Sequence, residues 1–206
     1  MIVKVCGMRD AANIREVEAL GIDWMGFIFY PKSARYCAEV PSYLPTRCKR
    51  VGVFVNAGIE DVVKHVGDYG LQVVQLHGDE DRLYVMNLRQ ALGAVDHVCT
   101  IVKAFSLSKP EDLQACEPLV GFVDYFLFDT PTAGYGGSGK QFDWSMLSQY
   151  HCMTPFLLSG GIGPDSRADL SRFEHPCCEG IDLNSKFEKA PGLKDVAALR
   201  KFLKEG

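Results

Sequence analysis

Eight short apolar runs, rich in β-branched and aromatic residues, recur along the chain, and nearly every one gives way to a polar residue or a glycine. They span residues 2–6, 24–29, 51–55, 73–76, 100–103, 125–128, 156–158 and 180–183. Several are continuously apolar, the pattern of strands buried on both faces of a parallel sheet. Amphipathic stretches over 10–20, 59–69, 79–92 and 193–203 separate some of them. Asp10 and Asp79 are placed to act as N-caps, and Gly21 and Gly70 as C-terminal caps.

Eight strands in strict β–α alternation give a (β/α)8 TIM barrel, in a single domain over residues 1–206. A chain of 206 residues stands near the lower length limit for that fold, roughly 200 residues, which leaves little room for anything else. The alternative is an open, doubly wound sheet with fewer strands, which would need some runs to be misread.

Composition narrows the class of function. With 47% hydrophobic and 23% charged residues the chain is ordinary globular protein, not disordered. A net charge of −4 gives no field to attract nucleic acid or an anionic membrane, so an anionic ligand must be held by local donors. No apolar run is long enough to cross a bilayer, and the first residues do not read as a signal peptide. The eight cysteines are therefore expected as thiols in a reducing cytoplasm, most of them small buried groups. No Cys-x-x-Cys pair is present, and the adjacent Cys177 and Cys178 are badly spaced to share a metal, so no metal site is expected.

In such barrels the site forms at the C-terminal ends of the strands. The ends read Cys6-Gly7 after the first run, Tyr30-Pro31-Lys32-Ser33-Ala34-Arg35-Tyr36 after the second and Asn56 after the third. They continue with His77-Gly78, Lys103, Asp129-Thr130, Ser159-Gly160-Gly161 and Asn184-Ser185. Gly160 and Gly161, taken with Asn184 and Ser185 after the next strand, stand where barrels commonly bind phosphate through backbone N–H groups. One such loop alone would read as a tight turn. The glycine-rich stretch 134–140 is long enough to serve as a lid.

Lys4 and Cys6 fall on one side of the first strand, facing the barrel interior if Val3 and Val5 face outward. A free thiol needs only a modest shift to supply a thiolate; a buried inert cysteine is the alternative. Asp129 closes the apolar run Phe126-Leu127-Phe128, where packing gives an acid little reason to stand; a turn cap is the alternative. The first and sixth strands face one another across an eight-strand mouth. A thiolate and a carboxylic acid there can take a proton from one side of a substrate and give one to the other.

At these residues the chain resembles the phosphoribosylanthranilate isomerase family of tryptophan biosynthesis. The likeness runs through Lys4-Val5-Cys6-Gly7, Pro31-Lys32-Ser33-Ala34-Arg35-Tyr36, Val53-Phe54-Val55-Asn56, Gln75-Leu76-His77-Gly78 and Phe128-Asp129. It continues with Gly136-Gly137-Ser138-Gly139, Phe142-Asp143-Trp144, Ser159-Gly160-Gly161-Ile162, Asp182-Leu183-Asn184-Ser185 and Pro191-Gly192-Leu193-Lys194-Asp195. The resemblance implies an Amadori rearrangement of N-(5-phosphoribosyl)anthranilate to 1-(o-carboxyphenylamino)-1-deoxyribulose 5-phosphate, with no cofactor. It implies Asp129 as the acid that opens the ring, Cys6 as the base at the sugar's C2, and Arg35 as the ligand of the anthranilate carboxylate. His77 and Asp182 are further substrate-binding candidates, although His77 also suits a structural hydrogen bond and Arg35 a solvated loop charge. The family's Ser-Ser-Gly-Val-Glu-like run reads Asn184-Ser185-Lys186-Phe187-Glu188 here, which puts a cation at the phosphate turn or reshapes it. The implied partner is a small phosphorylated molecule, and the chain is a monomer or a homodimer.

Two other readings are set beside this one. An epimerase or indole-glycerol-phosphate synthase on the same fold would need paired carboxylates, metal-binding histidines or a lysine–glutamate pair, and would leave Cys6 unexplained. A non-catalytic phosphate sensor would have no use for both Cys6 and Asp129.

Overall fold

The computed structural model describes residues 1–130 and 143–204. The expected lid over 134–140 and the Gly136–Gly139 motif lie outside the described residues.

Eight parallel strands close into a barrel in chain order. They are β1 (Ile2–Val5), β2 (Trp24–Ile28), β3 (Lys49–Phe54), β4 (Val73–Leu76), β5 (Thr100–Ser106), β6 (Tyr125–Asp129), β7 (Phe156–Leu158) and β8 (Cys178–Leu183). Pairing of Ile2–Val5 with Gly180–Leu183 closes the ring. Five α-helices are described: α1 (Ala11–Glu18), α2 (Ile59–Tyr69), α3 (Arg82–Ala94), α4 (Arg167–Arg172) and α5 (Val196–Lys204). A short antiparallel pair, β9 (Glu188–Ala190) and β10 (Leu193–Lys194), stands between β8 and α5.

The closed barrel is the expected architecture, but the alternation is not strict. No α-helix joins β2 to β3, and short 3-10 turns at Pro110–Leu119 and Trp144–Gln149 replace α-helices around β6. Prolines account for part of this: Pro31, Pro41 and Pro45 interrupt the β2–β3 segment, and Pro118 lies inside the turn after β5. A proline removes a backbone donor and crowds the preceding turn, which disfavours a continuous helix.

Local chemistry sets the helix ends. The Asp10 carboxylate accepts from the Asn13 N–H at 2.8 Å and starts α1. Gly70 closes α2 in the left-handed conformation (φ 56°). Gly21 falls two residues past the C-cap of α1, which is Ala19. Asp79 is not the N-cap of α3; Asp81 is, accepting from Tyr84 N–H at 2.8 Å. The helix starts late because the intervening residues are engaged at the barrel rim. Asp79 exchanges hydrogen bonds with the Asn56 side chain, and Glu80 turns inward to accept from the N–H groups of Asn56 and Gly78. Likewise α5 starts three residues later than its periodicity suggests, because Leu193 and Lys194 are taken by β10.

Two packing layers follow from the period of two along each strand. Val5, Phe27, Phe54, Val74, Leu76, Phe126 and Phe156 face outward into one cluster with Ile14, Val66, Leu88 and Phe202 of the helices. Cys6, Trp24, Val51, Val53, Val73, Val102, Ala104, Leu127 and Leu157 fill the barrel interior. The expected inward direction of Cys6, with Val5 outward, is therefore realised. Lys4, Gln75, Lys103 and Asp182 are also buried. Of the eight cysteines, all free, four are buried and four are half-buried, fewer buried than expected.

Gly26 of β2 makes room for the Cys6 side chain: a Cβ at Gly26 would lie 2.6 Å from Cys6 Sγ and 3.1 Å from its Cα. The backbone atom cannot step aside, so Gly26→Ala must strain both strands. The expected cost is about 1–3 kcal/mol, read as a lower urea midpoint with an unchanged slope. An unshifted midpoint would mean that β1 and β2 have slack at this point.

Candidate active site

The C-terminal ends of β1, β4, β6, β7 and β8 surround a cleft. It is lined by Cys6, Gln75, His77, Asp129, Ser159, Gly160, Gly161, Asp182, Asn184 and Ser185, with Ile28, Tyr30, Val53 and Val55 among the remaining walls. The topology thus brings together eight of the nine residues singled out from the sequence. Arg35, the ninth, is not part of this lining.

Cys6 stands at the end of β1 with its backbone N–H bonded to the Leu183 carbonyl at 2.9 Å. Burial pushes its thiol above the ordinary value; Lys4 and, more weakly, Lys194 pull it back, while Asp182 adds to the rise. The modest shift toward a thiolate expected from sequence is therefore not present in the free site. Desolvation of an anion outweighs two neighbouring cations here. Lys4 is itself buried and donates to Asp182 at 2.9 Å. Burial opposes its charge, yet Asp182 and Cys6 together hold its pKa above the usual ammonium range. Ser159 Oγ bonds the other Asp182 oxygen at 3.3 Å.

Asp129 ends β6. Burial raises its carboxyl to about 6, against a hydrogen bond from the Thr130 N–H, which lowers it; that bond measures 2.8 Å. The Thr130 bond resembles the turn cap proposed as the alternative, but it occupies only Oδ1. Asp129 Oδ2 faces His77 Nε2 at 3.7 Å. Burial, then Lys103 and Lys4, lower the His77 ring to about 4, so it is neutral near pH 7.

Gly160 (φ 81°) and Gly161 (φ 71°) are consecutive left-handed residues after β7. A Cβ at Gly160 would lie 2.3 Å from Thr130 Oγ1 and 2.8 Å from Asp129 Oδ1. Glycine is thus required twice over, by conformation and by the closeness of the acid. The Lys186 stem crosses the same rim, its Cβ 3.2 Å from where a Gly163 Cβ would be, and its side chain is exposed.

Arg35 lies beside the end of β1, where a Cβ on Gly7 (φ 78°) would meet Arg35 Cδ at 2.7 Å. It is not a solvated loop charge. Its Nε donates to both Glu188 oxygens at 2.9 and 3.0 Å, and an Nη to one of them at 2.7 Å. Glu188 is held low despite burial because Arg35 and Lys194 face it. Lys194 Nζ bonds Glu188 and the Asn184 side chain, each at 2.7 Å.

Sequence reasoning did not assign Gln75, Ser159, Glu188 or Lys194, and placed Lys4 without giving it a role. Lys4 and Gln75 carried a signal, a polar residue at an inward position of an apolar strand. Glu188 and Lys194 carried none beyond the family motifs, because their partners are distant in sequence.

The family model for N-(5'-phosphoribosyl)anthranilate isomerase matches residues 3–205. A relative of that name from Phocaeicola vulgatus is 50% identical over 100% of this chain and 97% of its own length. Another, from Parabacteroides distasonis, is 46% identical over 100% and 93%. Among solved structures, the phosphoribosylanthranilate isomerase of Thermotoga maritima, described as monomers of a dimeric enzyme, superposes with a TM-score of 0.80 at 29% identity over 99% and 97% of the chains. A phosphoribosylanthranilate isomerase in complex with reduced 1-(o-carboxyphenylamino)-1-deoxyribulose 5-phosphate superposes at 0.78, with 29% identity over 99% and 97%. The chain belongs to the N-(5'-phosphoribosyl)anthranilate isomerase family, aldose–ketose isomerases of tryptophan biosynthesis.

Proposed function

We propose that this chain performs the family's isomerisation with Asp129 as acid and Cys6 as base, across the cleft between β6 and β1. The observation that supports these roles best is their shared placement on one cleft, with the acid lifted to about 6 by burial. Asp129 gives a proton to the furanose ring oxygen, and the C1–O bond breaks as the anthranilate nitrogen forms an iminium. Cys6 removes the C2 proton, and the C–H electron pair becomes the C1–C2 double bond of an enolamine. The nitrogen takes back its lone pair. C1 then takes up a proton and the C2 hydroxyl loses one, giving the ketone.

The substrate phosphate is assigned to Gly160, Gly161, Asn184 and Ser185, with Lys186 as a cation at its edge. Asp182 holds Lys4 against the base. Arg35 keeps one edge of its five-donor fork for the anthranilate carboxylate while Glu188 fixes the other. A domain over the whole chain, a cytoplasmic setting suited to eight free thiols, and a monomer or homodimer complete this reading. Among the described residues no helix is long and apolar enough to cross a membrane.

Cys6→Ser keeps the shape and removes a usable base. Its kcat is expected to fall by at least about a hundredfold, since a positioned base contributes roughly 10²–10⁴. Turnover within about tenfold of the parent would take the base role from Cys6.

Asp129→Asn should lose turnover and gain stability. The Asp129 carboxyl titrates near 6 when folded and near 3.9 in an unfolded chain. Between those values the folded state binds more protons, so its stability drops as pH rises through the window and stays lower above it. The Asn variant is free of that loss. At pH 8 it should be more stable by on the order of 1–3 kcal/mol, and below about pH 4 the difference should vanish. Equal stability at pH 8, measured by urea unfolding, would mean that the acid is not destabilised by burial.

Arg35→Met removes the fork and keeps the stem. The carboxylate carries the same charge in ground and transition states, so the loss should fall mainly on KM. A rise of about tenfold to a hundredfold is expected, the value of a charge-assisted hydrogen bond. Steady-state kinetics with an unchanged KM would leave Arg35 solely as the partner of Glu188.

A further inference from the structure

Gln75 is a polar side chain on β4, 1% exposed, on the wall of the cleft that Cys6, His77 and Asp129 share. Its neighbours in sequence, Val74 and Leu76, face outward into the helix layer. Packing does not call for an amide at that place, where Val51, Val53 and Val73 serve the same interior. The two ends of the amide differ. Nε2 lies 3.2 Å from His77 Nδ1. Oε1 has no hydrogen-bond partner among the described residues.

Both facts have chemical consequences. An amide nitrogen only donates, so His77 Nδ1 must accept, and the ring proton is then on Nε2. That N–H is the one that faces Asp129 Oδ2 at 3.7 Å. The ring's depressed pKa agrees with a neutral imidazole of this tautomer. The orphan Oε1 is a buried acceptor, removed from water with no hydrogen bond in return. Native proteins satisfy such atoms with protein, water or ligand. Its position on the cleft wall makes a ligand hydroxyl the fitting partner.

We propose that Gln75 is a substrate-binding and positioning residue: its Oε1 accepts a hydrogen bond from a ribose hydroxyl, while its Nε2 holds His77 in the tautomer that presents Nε2–H to Asp129. The ribose as ligand rests on the function proposed above; the tautomer rests on geometry alone. Gln75 thereby links substrate recognition to the orientation of the acid. The sugar hydroxyl gives Oε1 the partner that it lacks among the described residues, beside the His77–Asp129 contact.

The test uses the full chain in two measurements. The first is ¹⁵N NMR of the His77 ring in the parent protein, which needs no variant. The expected spectrum is a neutral ring protonated at Nε2; a ring protonated at Nδ1 overturns the positioning role. The second is calorimetric binding of reduced 1-(o-carboxyphenylamino)-1-deoxyribulose 5-phosphate to the parent and to Gln75→Met, with Gln75→Leu as a second apolar variant. Loss of one neutral hydrogen bond should weaken binding about three- to tenfold, and the His77 ring should no longer hold a single tautomer. Unchanged affinity in a folded variant overturns the hydroxyl contact. Failure of the parent itself to bind the analogue would strike the proposed function instead and remove the ribose as the partner.

Discussion

The site depends on one buried ion pair. Lys4 and Asp182 face each other at 2.9 Å across the seam where β1 meets β8, almost fully removed from water. Two charges in a dry barrel are expensive to bury, and their attraction offsets the cost only with good geometry and further hydrogen bonds. Ser159 supplies one such bond to Asp182. Removing either partner would leave an uncompensated charge beside Cys6, at a cost of several kcal/mol. The pair is better understood as the local field of the site than as a source of stability: it sets a cation against the thiol and an anion near Asp129.

Burial, more than that field, keeps the resting groups out of their working forms. Near pH 7 burial keeps Cys6 as a thiol, while Asp129, at about 6, is largely ionised. The proposed roles need the reverse, a thiolate and a carboxylic acid. With the thiol pushed up by burial and the carboxyl at about 6, the working pair is the minor form of the free site. The chemistry itself narrows the gap. In the proposed reaction, an iminium cation beside Cys6 favours its thiolate, and bound substrate desolvates Asp129 further, which favours its acid. The raised acid is thus a matched property, held at a cost in stability at neutral pH.

The barrel was legible because its signal is local. Strand runs such as Val73–Leu76, apolar but for Gln75, and Phe156–Leu158 have the bounds their residues suggest, and so does α2 at Ile59–Tyr69. Failures came where long-range polar contacts override local preference. Asp79 resembles a cap, but the rim network of Asn56, Glu80 and Lys103 draws the chain inward, and the helix waits for Asp81. The proposed pair, Cys6 and Asp129, could be singled out by position at strand ends, and the structure brings both to one cleft. Its supports could not. Glu188 and Arg35 are 153 residues apart, and nothing in either neighbourhood announces the other. The shift of Cys6 was misjudged for the same reason: burial is a property of the closed barrel, not of the Lys4-Val5-Cys6-Gly7 run.

Proton removal from the sugar's C2 by this chain is the decisive step of the proposed reaction. The most direct measurement is single-turnover conversion of N-(5-phosphoribosyl)anthranilate by the unaltered protein, followed by anthranilate fluorescence, with hydrogen or deuterium at C2. The account predicts rapid conversion of both, with the deuterated substrate slower in the chemical step. Conversion no faster than the uncatalysed reaction, or equal rates for the two substrates where chemistry limits, would contradict it.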